Sequence, residues 1–397
     1  MSTIPYRKLQ KHRSATSERV GLVSPSGIRK YFDLIASMEG VISLGVGEPD
    51  FVTPWHIREA AIYSLEKGCT MYTSNSGMPE LRQELSQYLK NNYTLDYKHD
   101  SELLITVGVS EALDLATRAI LNPGDEVIVP DPCYVSYRAC VIMAGGTPIS
   151  VPTSEINDFE VSAADIEACI TTNTKAILFG YPSNPTGAVM PKHKLSQIAE
   201  LARRHQLLVI SDEIYAKLTY GVEHTCFAAL PEMKNYTIFL GGFSKAYAMT
   251  GWRIGYAAAS KEIIAAMTKI HQYTIMSAPT MGQVAAIEAL RAGENKTGEM
   301  IEDYNRRRLV IVKGLRDIGL PCFEPKGAFY AFPSINSTGM TSEEFAERLL
   351  VEERVAVVPG SAFGQCGESY IRCCYATSLS DIEEALSRIN CFLDRHK

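Results

Sequence analysis

Residues Leu103–Leu121 read LLITVGVSEALDLATRAIL. Five apolar or β-branched residues, LLITV, run without polar alternation, which suits a strand buried on both faces. A glycine turn follows, and SEALDLATRAIL (110–121) then takes the spacing of an amphipathic helix. The same order recurs: EVIVP (126–130) before YVSYRACVIMAGG, AILFG (176–180) before KLSQIAELARRH, then LLVIS (207–211), TIFLG (237–241) and RIGYAAA (253–259). Repeated strand–helix alternation predicts an α/β domain whose sheet is largely parallel. From about residue 261 long helical patterns take over. They are followed by AFYAFP (328–333), EEFAERLLVEE, VAVVP, YIRCCYAT and LSDIEEALSRINCFLDRH, which read as a second, smaller α+β domain. The chain has no internal repeat and no low-complexity linker.

At 397 residues the chain exceeds what one hydrophobic core usually supports. A net charge of −6 argues against a nucleic-acid footprint and against an anionic membrane surface as partner. The basic run Arg7, Lys8, Lys11, His12 and Arg13 precedes no apolar segment, so it reads as a solvated tail rather than a secretory signal. No stretch approaches the ~18 apolar residues that would span a bilayer. The ten cysteines include no C-x-x-C pair, and the eight histidines include no H-E-x-x-H. Reduced thiols in the cytoplasm and no metal site are the expectation.

The ends of the strands carry the chemistry. After LLITV, Gly108-Val109-Ser110 leads into a helix with Glu111 in its first turn, and free amides at a helix N-terminus bind anions. Ser110 could equally be a simple cap. After AILFG, Tyr181-Pro182-Ser183-Asn184-Pro185-Thr186-Gly187 reads as a rigid turn aiming the Asn184 amide, or as a plain loop. Asp212 stands at the carboxyl end of LLVI, where α/β sheets place ligands, and needs a cationic partner there. Tyr215 follows it. GGFSKAYAMTGWRIGY (241–256) supplies Lys245 and Arg253 with no acid between them. A ligand matching an anion cradle, an amide, a carboxylate, a phenol and an amine would carry a phosphate, an oxygen acceptor, a basic ring nitrogen and an aldehyde. Pyridoxal 5′-phosphate has all four.

These motifs resemble the pyridoxal-phosphate aminotransferases of fold type I, class I/II, in the branch of aspartate and aromatic amino acid aminotransferases. The likeness runs from SGIRKYFDL and ISLGVGEPDFVTP through YTSNSGMPELR, YPSNPTG, SDEIYAKLTY and SKAYAMTGWRIGY to KGAFYAFP, VAVVPGSAFG and YIRCCYATS. It implies a large domain (51–294) with a mostly parallel seven-stranded sheet flanked by helices. It also implies a smaller α+β domain built from both termini, comprising the segment 1–50 and residues 295–397. By the same resemblance Lys245 forms the imine with the cofactor and then acts as base. Asp212 keeps the pyridine nitrogen protonated, and Tyr215 and Asn184 bond the ring's phenolic oxygen. Gly108, Val109, Ser110, Ser244 and Arg253 hold the phosphate, joined by Tyr72 from the partner of a homodimer. Tyr134 stacks on the ring and, with Asn184 and Gly47, meets the substrate, whose α-carboxylate pairs with Arg372.

GVGEPD lacks the third glycine of a dinucleotide fingerprint, and Pro49 falls where a helix should begin, so a nicotinamide dehydrogenase is not expected. A binding-only regulator would need a DNA-binding domain for which the chain has no room. A β-lyase, decarboxylase or synthase on the same cofactor stays open, because fold and Schiff-base machinery do not separate these reactions. Some aspartate-specific relatives carry a lysine at the position of Ser110. Its absence here points away from a dedicated dicarboxylate enzyme, unless Arg29 in the N-terminal segment substitutes. The expected reaction passes the amino group of an aromatic amino acid, aspartate or glutamate to a 2-oxo acid such as 2-oxoglutarate.

Overall fold

The computed structural model describes residues 15–25, 27 and 38–396. Arg29 and the basic run before residue 14 lie outside the described residues. A two-residue strand, β1 (Ile42–Ser43), precedes the main sheet. That sheet has seven strands: β2 (Leu103–Thr106), β3 (Glu126–Asp131), β4 (Thr147–Pro152), β5 (Thr174–Phe179), β6 (Leu208–Asp212), β7 (Thr237–Gly242) and β8 (Gly255–Ala258). Their spatial order is β2-β8-β7-β6-β5-β3-β4. Only β8 runs against its neighbours; the ladders joining β7, β6, β5, β3 and β4 are all parallel. The sheet is thus mixed but mostly parallel. Consecutive residues of β2 and of β8 are buried, as a sheet covered on both faces requires.

The helix following β2 shows why the opening stretch folds as it does. It spans Gly108–Ile120 and buries Ala112, Leu113, Leu115 and Ala116, the stripe that packs on the sheet. It begins at Gly108, two residues earlier than the sequence pattern alone suggests. Val107 holds the cap position and no side chain caps the helix, so Ser110 is not the cap. Gly108 has φ +71°, a left-handed turn that glycine enters without strain.

A second body surrounds β9 (Tyr330–Ala331), β10 (Val355–Ala356), β11 (Val358–Pro359) and β12 (Ile371–Cys374). β11, β12 and β9 form an antiparallel sheet, while β1 pairs in parallel with β10 through Ile42↔Val355 and Ser43↔Ala356. The segment around residue 42 therefore completes the C-terminal body. Leu44 joins its core with Phe345, Leu349, Ile382 and Ile389 from the helices Ser342–Glu353 and Leu379–Arg395. In β12, Cys374 pairs with Tyr330 of β9. Arg372 lies two residues from Cys374 on the same face, so it is the diagonal neighbour of Tyr330. The C-terminal body brings this pair to the carboxyl ends of β5, β6 and β7. Among the described residues no helix is long and apolar enough to cross a membrane.

Candidate active site

A cavity of about 410 Å³ opens at the carboxyl ends of the parallel strands, within the range of small-molecule sites. Of the residues singled out from sequence, Gly47, Val109, Ser110, Tyr134 and Asn184 line it. So do Asp212, Tyr215, Ser244, Lys245, Arg253 and Arg372. Gly108 lies directly beneath, where an added Cβ would meet the Arg253 guanidinium at 2.5 Å. Tyr72 does not line the cavity, and its side chain is exposed.

At one end, the amides opening the helix Gly108–Ile120 have no acceptor within the helix, and the helix dipole puts positive potential there. Arg253, itself at φ +55°, lies against them and donates to the Thr250 carbonyl at 2.9 Å. Glu111 is turned away: its carboxylate accepts from the Val107 amide at 2.5 Å and faces His271 at 2.7 Å. Glu111 therefore does not contest the anion cradle near Gly108; Glu48, which also lines the cavity, accepts from the Thr250 hydroxyl at 3.1 Å.

In the middle, Asp212 is the last residue of β6 and is buried. It makes no ion pair; Tyr137 donates its hydroxyl proton to Oδ2 at 2.9 Å, and the Ile214 amide donates to Oδ1 at 3.1 Å. Burial pushes its pKa up to about 6, and the two hydrogen bonds only partly offset this. The cation expected beside it is not a protein side chain among the described residues. Lys245 follows β7 and donates to the Gly47 carbonyl at 2.7 Å. It is partly buried, and the lost hydration pushes its pKa down to about 8.

At the other end, Arg372 is buried, and among the described residues it meets no carboxylate within ion-pair distance. Its Nη1 donates to Asn184 Oδ1 at 2.9 Å, its Nη2 to the Gly45 carbonyl at 2.7 Å, and its Nε has no partner. With Oδ1 so engaged, the Asn184 amide nitrogen is the end left to donate. The guanidinium lies 4.5 Å above the Tyr330 ring and 5.0 Å above the Phe363 ring. A buried guanidinium with no carboxylate beside it calls for an anion.

Among the wall residues that sequence reasoning missed, Tyr137 and Tyr330 touch the residues it named. Tyr137 escaped notice behind Tyr134, which precedes the helix Ser136–Met143; the Tyr137 amide donates to the Tyr134 carbonyl at 3.0 Å in the turn that opens the helix, and the two rings meet edge to face at 5.6 Å. Tyr330 sat unremarked in AFYAFP, and only the β9–β12 register reveals its place beside Arg372. Gly47 is glycine for the same reason, since a Cβ there would meet the Tyr330 hydroxyl at 2.5 Å.

The sequence pattern of the aminotransferase class I and II family matches residues 39–389. This chain belongs to that family. It is 46% identical over 386 residues to an aspartate aminotransferase of Pyrococcus abyssi, covering 96% of this chain and 99% of that protein. An aromatic-amino-acid aminotransferase of Thermococcus litoralis is 44% identical over 386 residues, with the same two coverages. Among solved structures, the aspartate aminotransferase of Thermus thermophilus with maleate superposes with a TM-score of 0.92 at 38% identity, covering 96% of this chain and all of that one. The protein is a transaminase on an α/β fold, and its family uses pyridoxal 5′-phosphate. A lyase or synthase, left open by the sequence, is not favoured by these relatives.

Proposed function

We propose that this transaminase holds pyridoxal 5′-phosphate in the 410 Å³ cavity and moves the amino group of an aromatic or acidic L-amino acid to a 2-oxo acid such as 2-oxoglutarate. The observation that carries the reading is Arg372, a buried guanidinium that meets no carboxylate among the described residues and lines the same cavity as Lys245 and Asp212. The names of the archaeal relatives, one acting on aspartate and one on aromatic amino acids, support the donor range.

The residues present fit the cofactor. The cradle at Gly108 suits a phosphate, since any larger residue there would push into Arg253. Asp212 is an acid without a cation, suited to a protonated ring nitrogen, and that partner would draw its pKa back down. When bound, the cofactor supplies an aldehyde that captures amines and a ring that accepts the electrons of the Cα–H bond. The protein does the rest. Asp212 holds a proton on the ring nitrogen. Tyr215 and the Asn184 amide donate to the ring's phenolic oxygen. Arg372 seats the substrate α-carboxylate, which fixes the Cα–H bond relative to Lys245. Lys245 Nζ then takes the Cα proton, a task for which an amine with its pKa near 8 is suited. Tyr134 covers the ring face, and Ser110, Val109 and Ser244 join Arg253 at the phosphate.

The division into residues 51–294 and a body built from residues 1–50 and 295–397 belongs to the same proposal, supported by the core that unites Leu44 with residues from 300 onward. So does a homodimer. Tyr72 and Met71 are about four-fifths exposed, an unusual setting for neighbouring large side chains, and a partner subunit would give Tyr72 its phosphate. A cytoplasmic setting is supported by ten cysteines that are all free thiols.

The test is spectroscopic. Adding an aromatic or acidic amino acid to the purified holoenzyme should bleach the visible band, and 2-oxoglutarate should restore it. Release of ammonia and pyruvate instead would contradict transamination.

A further inference from the structure

Tyr330 opens β9, is almost wholly buried, and touches groups assigned to two different tasks. Its hydroxyl lies 2.7 Å from the hydroxyl of Tyr215, and the two rings meet edge to face at 5.9 Å. Its ring face lies 4.5 Å beneath the Arg372 guanidinium, as the diagonal register of β9 and β12 dictates. The position of its hydroxyl also forces glycine at 47, the residue whose carbonyl accepts from Lys245.

We propose that Tyr330 is a positioning residue for the transamination: its hydroxyl orients the Tyr215 phenol towards the cofactor's ring oxygen, while its ring supports Arg372 for the substrate carboxylate. One side chain thereby links cofactor tuning to substrate seating. The direction of the hydroxyl pair follows from counting protons, since each phenol has one to give. With the Tyr215 proton directed into the cavity at the ring oxygen, the bond between the two hydroxyls must be donated by Tyr330 and accepted by Tyr215. A phenol that accepts one hydrogen bond also donates a stronger one. The inference rests on the cofactor reading above.

The test uses holoenzyme and the pH titration of its visible band. A donor on the ring oxygen favours the deprotonated chromophore, so weakening that donor raises the midpoint. Tyr330→Phe should raise it by about 0.4–1 pH unit, the size of one ordinary hydrogen bond. Tyr215→Phe should raise it further, and the Tyr215→Phe/Tyr330→Phe double variant no more than Tyr215→Phe alone, because the second hydroxyl acts through the first. Asp212, Glu48, Lys245, Arg253, Arg372, Cys374 and the phenols of Tyr134 and Tyr137, the other ionisable groups around the site, stay in place throughout. KM for the amino donor should change little in Tyr330→Phe, which keeps the ring, and rise roughly 3- to 30-fold in Tyr330→Leu, which removes it. A merely structural role would lower thermal stability and leave the midpoint where it was. An unmoved midpoint in Tyr330→Phe, or additive shifts in the double variant, would overturn the role of Tyr330 alone. A wild-type holoenzyme with no visible band would overturn the cofactor reading and this role with it.

Discussion

Tyr137 donates its hydroxyl proton to Asp212 at 2.9 Å, so the buried acid at the end of β6 is held by a phenol from the helix Ser136–Met143 rather than by a cation. The two residues are 75 positions apart, and the bond fixes which way the carboxylate faces.

Tyr137→Phe should leave the fold intact and weaken the transaminase. A hydrogen bond to a charged group contributes about 1.5–3 kcal/mol, so kcat/KM should fall roughly 10- to 100-fold. The lost donor favours the protonated acid, which moves the acidic limb of the kcat/KM profile to higher pH. A pH profile of the purified variant reads both effects, and an unshifted limb would argue against Tyr137 acting through Asp212.

Asp212→Asn should make the cofactor-free enzyme more stable while abolishing most turnover. The carboxyl has a folded pKa of about 6, above its unfolded value of 3.8. Between those values the folded state binds more protons than the unfolded one, so stability falls as pH rises through the window, and the full penalty stands above pH 6. Two units correspond to about 3 kcal/mol. The gain in the variant should be largest near pH 8 and fade towards pH 4, as denaturant midpoints at the two pH values would show.

The Arg372→Lys variant keeps a positive charge and loses the planar fork. Breaking a buried hydrogen-bonded charge pair costs about 2–5 kcal/mol, so kcat/KM for every amino donor should fall at least roughly 30-fold. Because the group seats the carboxylate common to all substrates, the loss should be similar for aromatic and acidic donors. Steady-state kinetics with one donor of each kind decide this; a loss confined to acidic donors would assign Arg372 to the distal carboxylate instead.

Lys245 carries a pKa of about 8 in place of 10.5, because burial disfavours its ammonium. Only the neutral amine captures an aldehyde. The rate at which the cofactor-free enzyme takes up pyridoxal 5′-phosphate should therefore rise with pH through about 8 and level off, about two units below an exposed lysine. Stopped-flow absorbance across pH 6 to 10 would trace the curve, in which a midpoint near 10 would contradict the burial argument.

How far the sequence disclosed all this depends on whether a residue acts through local pattern or through tertiary register. The parallel strands β3, β5, β6 and β7 were legible because each is a short apolar run closed by a glycine or a polar turn, whereas β4 (TPISVP), largely not buried, gave no such run; Asp212 and Lys245 were legible because they stand where such runs end. The start of the helix at Gly108 was not, since a glycine at positive φ can end a turn or open a helix with equal ease. Tyr330 was invisible for a stronger reason: its partners, Tyr215 and Arg372, lie 115 positions before it and 42 after it, and the pairing of Cys374 with Tyr330 accounts only for the second. The uncompensated burial of Arg372 is likewise a tertiary fact, since the sequence shows an arginine in an apolar strand without saying whether an acid reaches it.

The covalent role of Lys245 is open to direct chemistry. Borohydride reduction of the holoenzyme, followed by peptide mass spectrometry, should find a pyridoxyl group on the peptide containing Lys245. A fully active enzyme whose pyridoxyl group sits on another lysine, or nowhere, would contradict the site described.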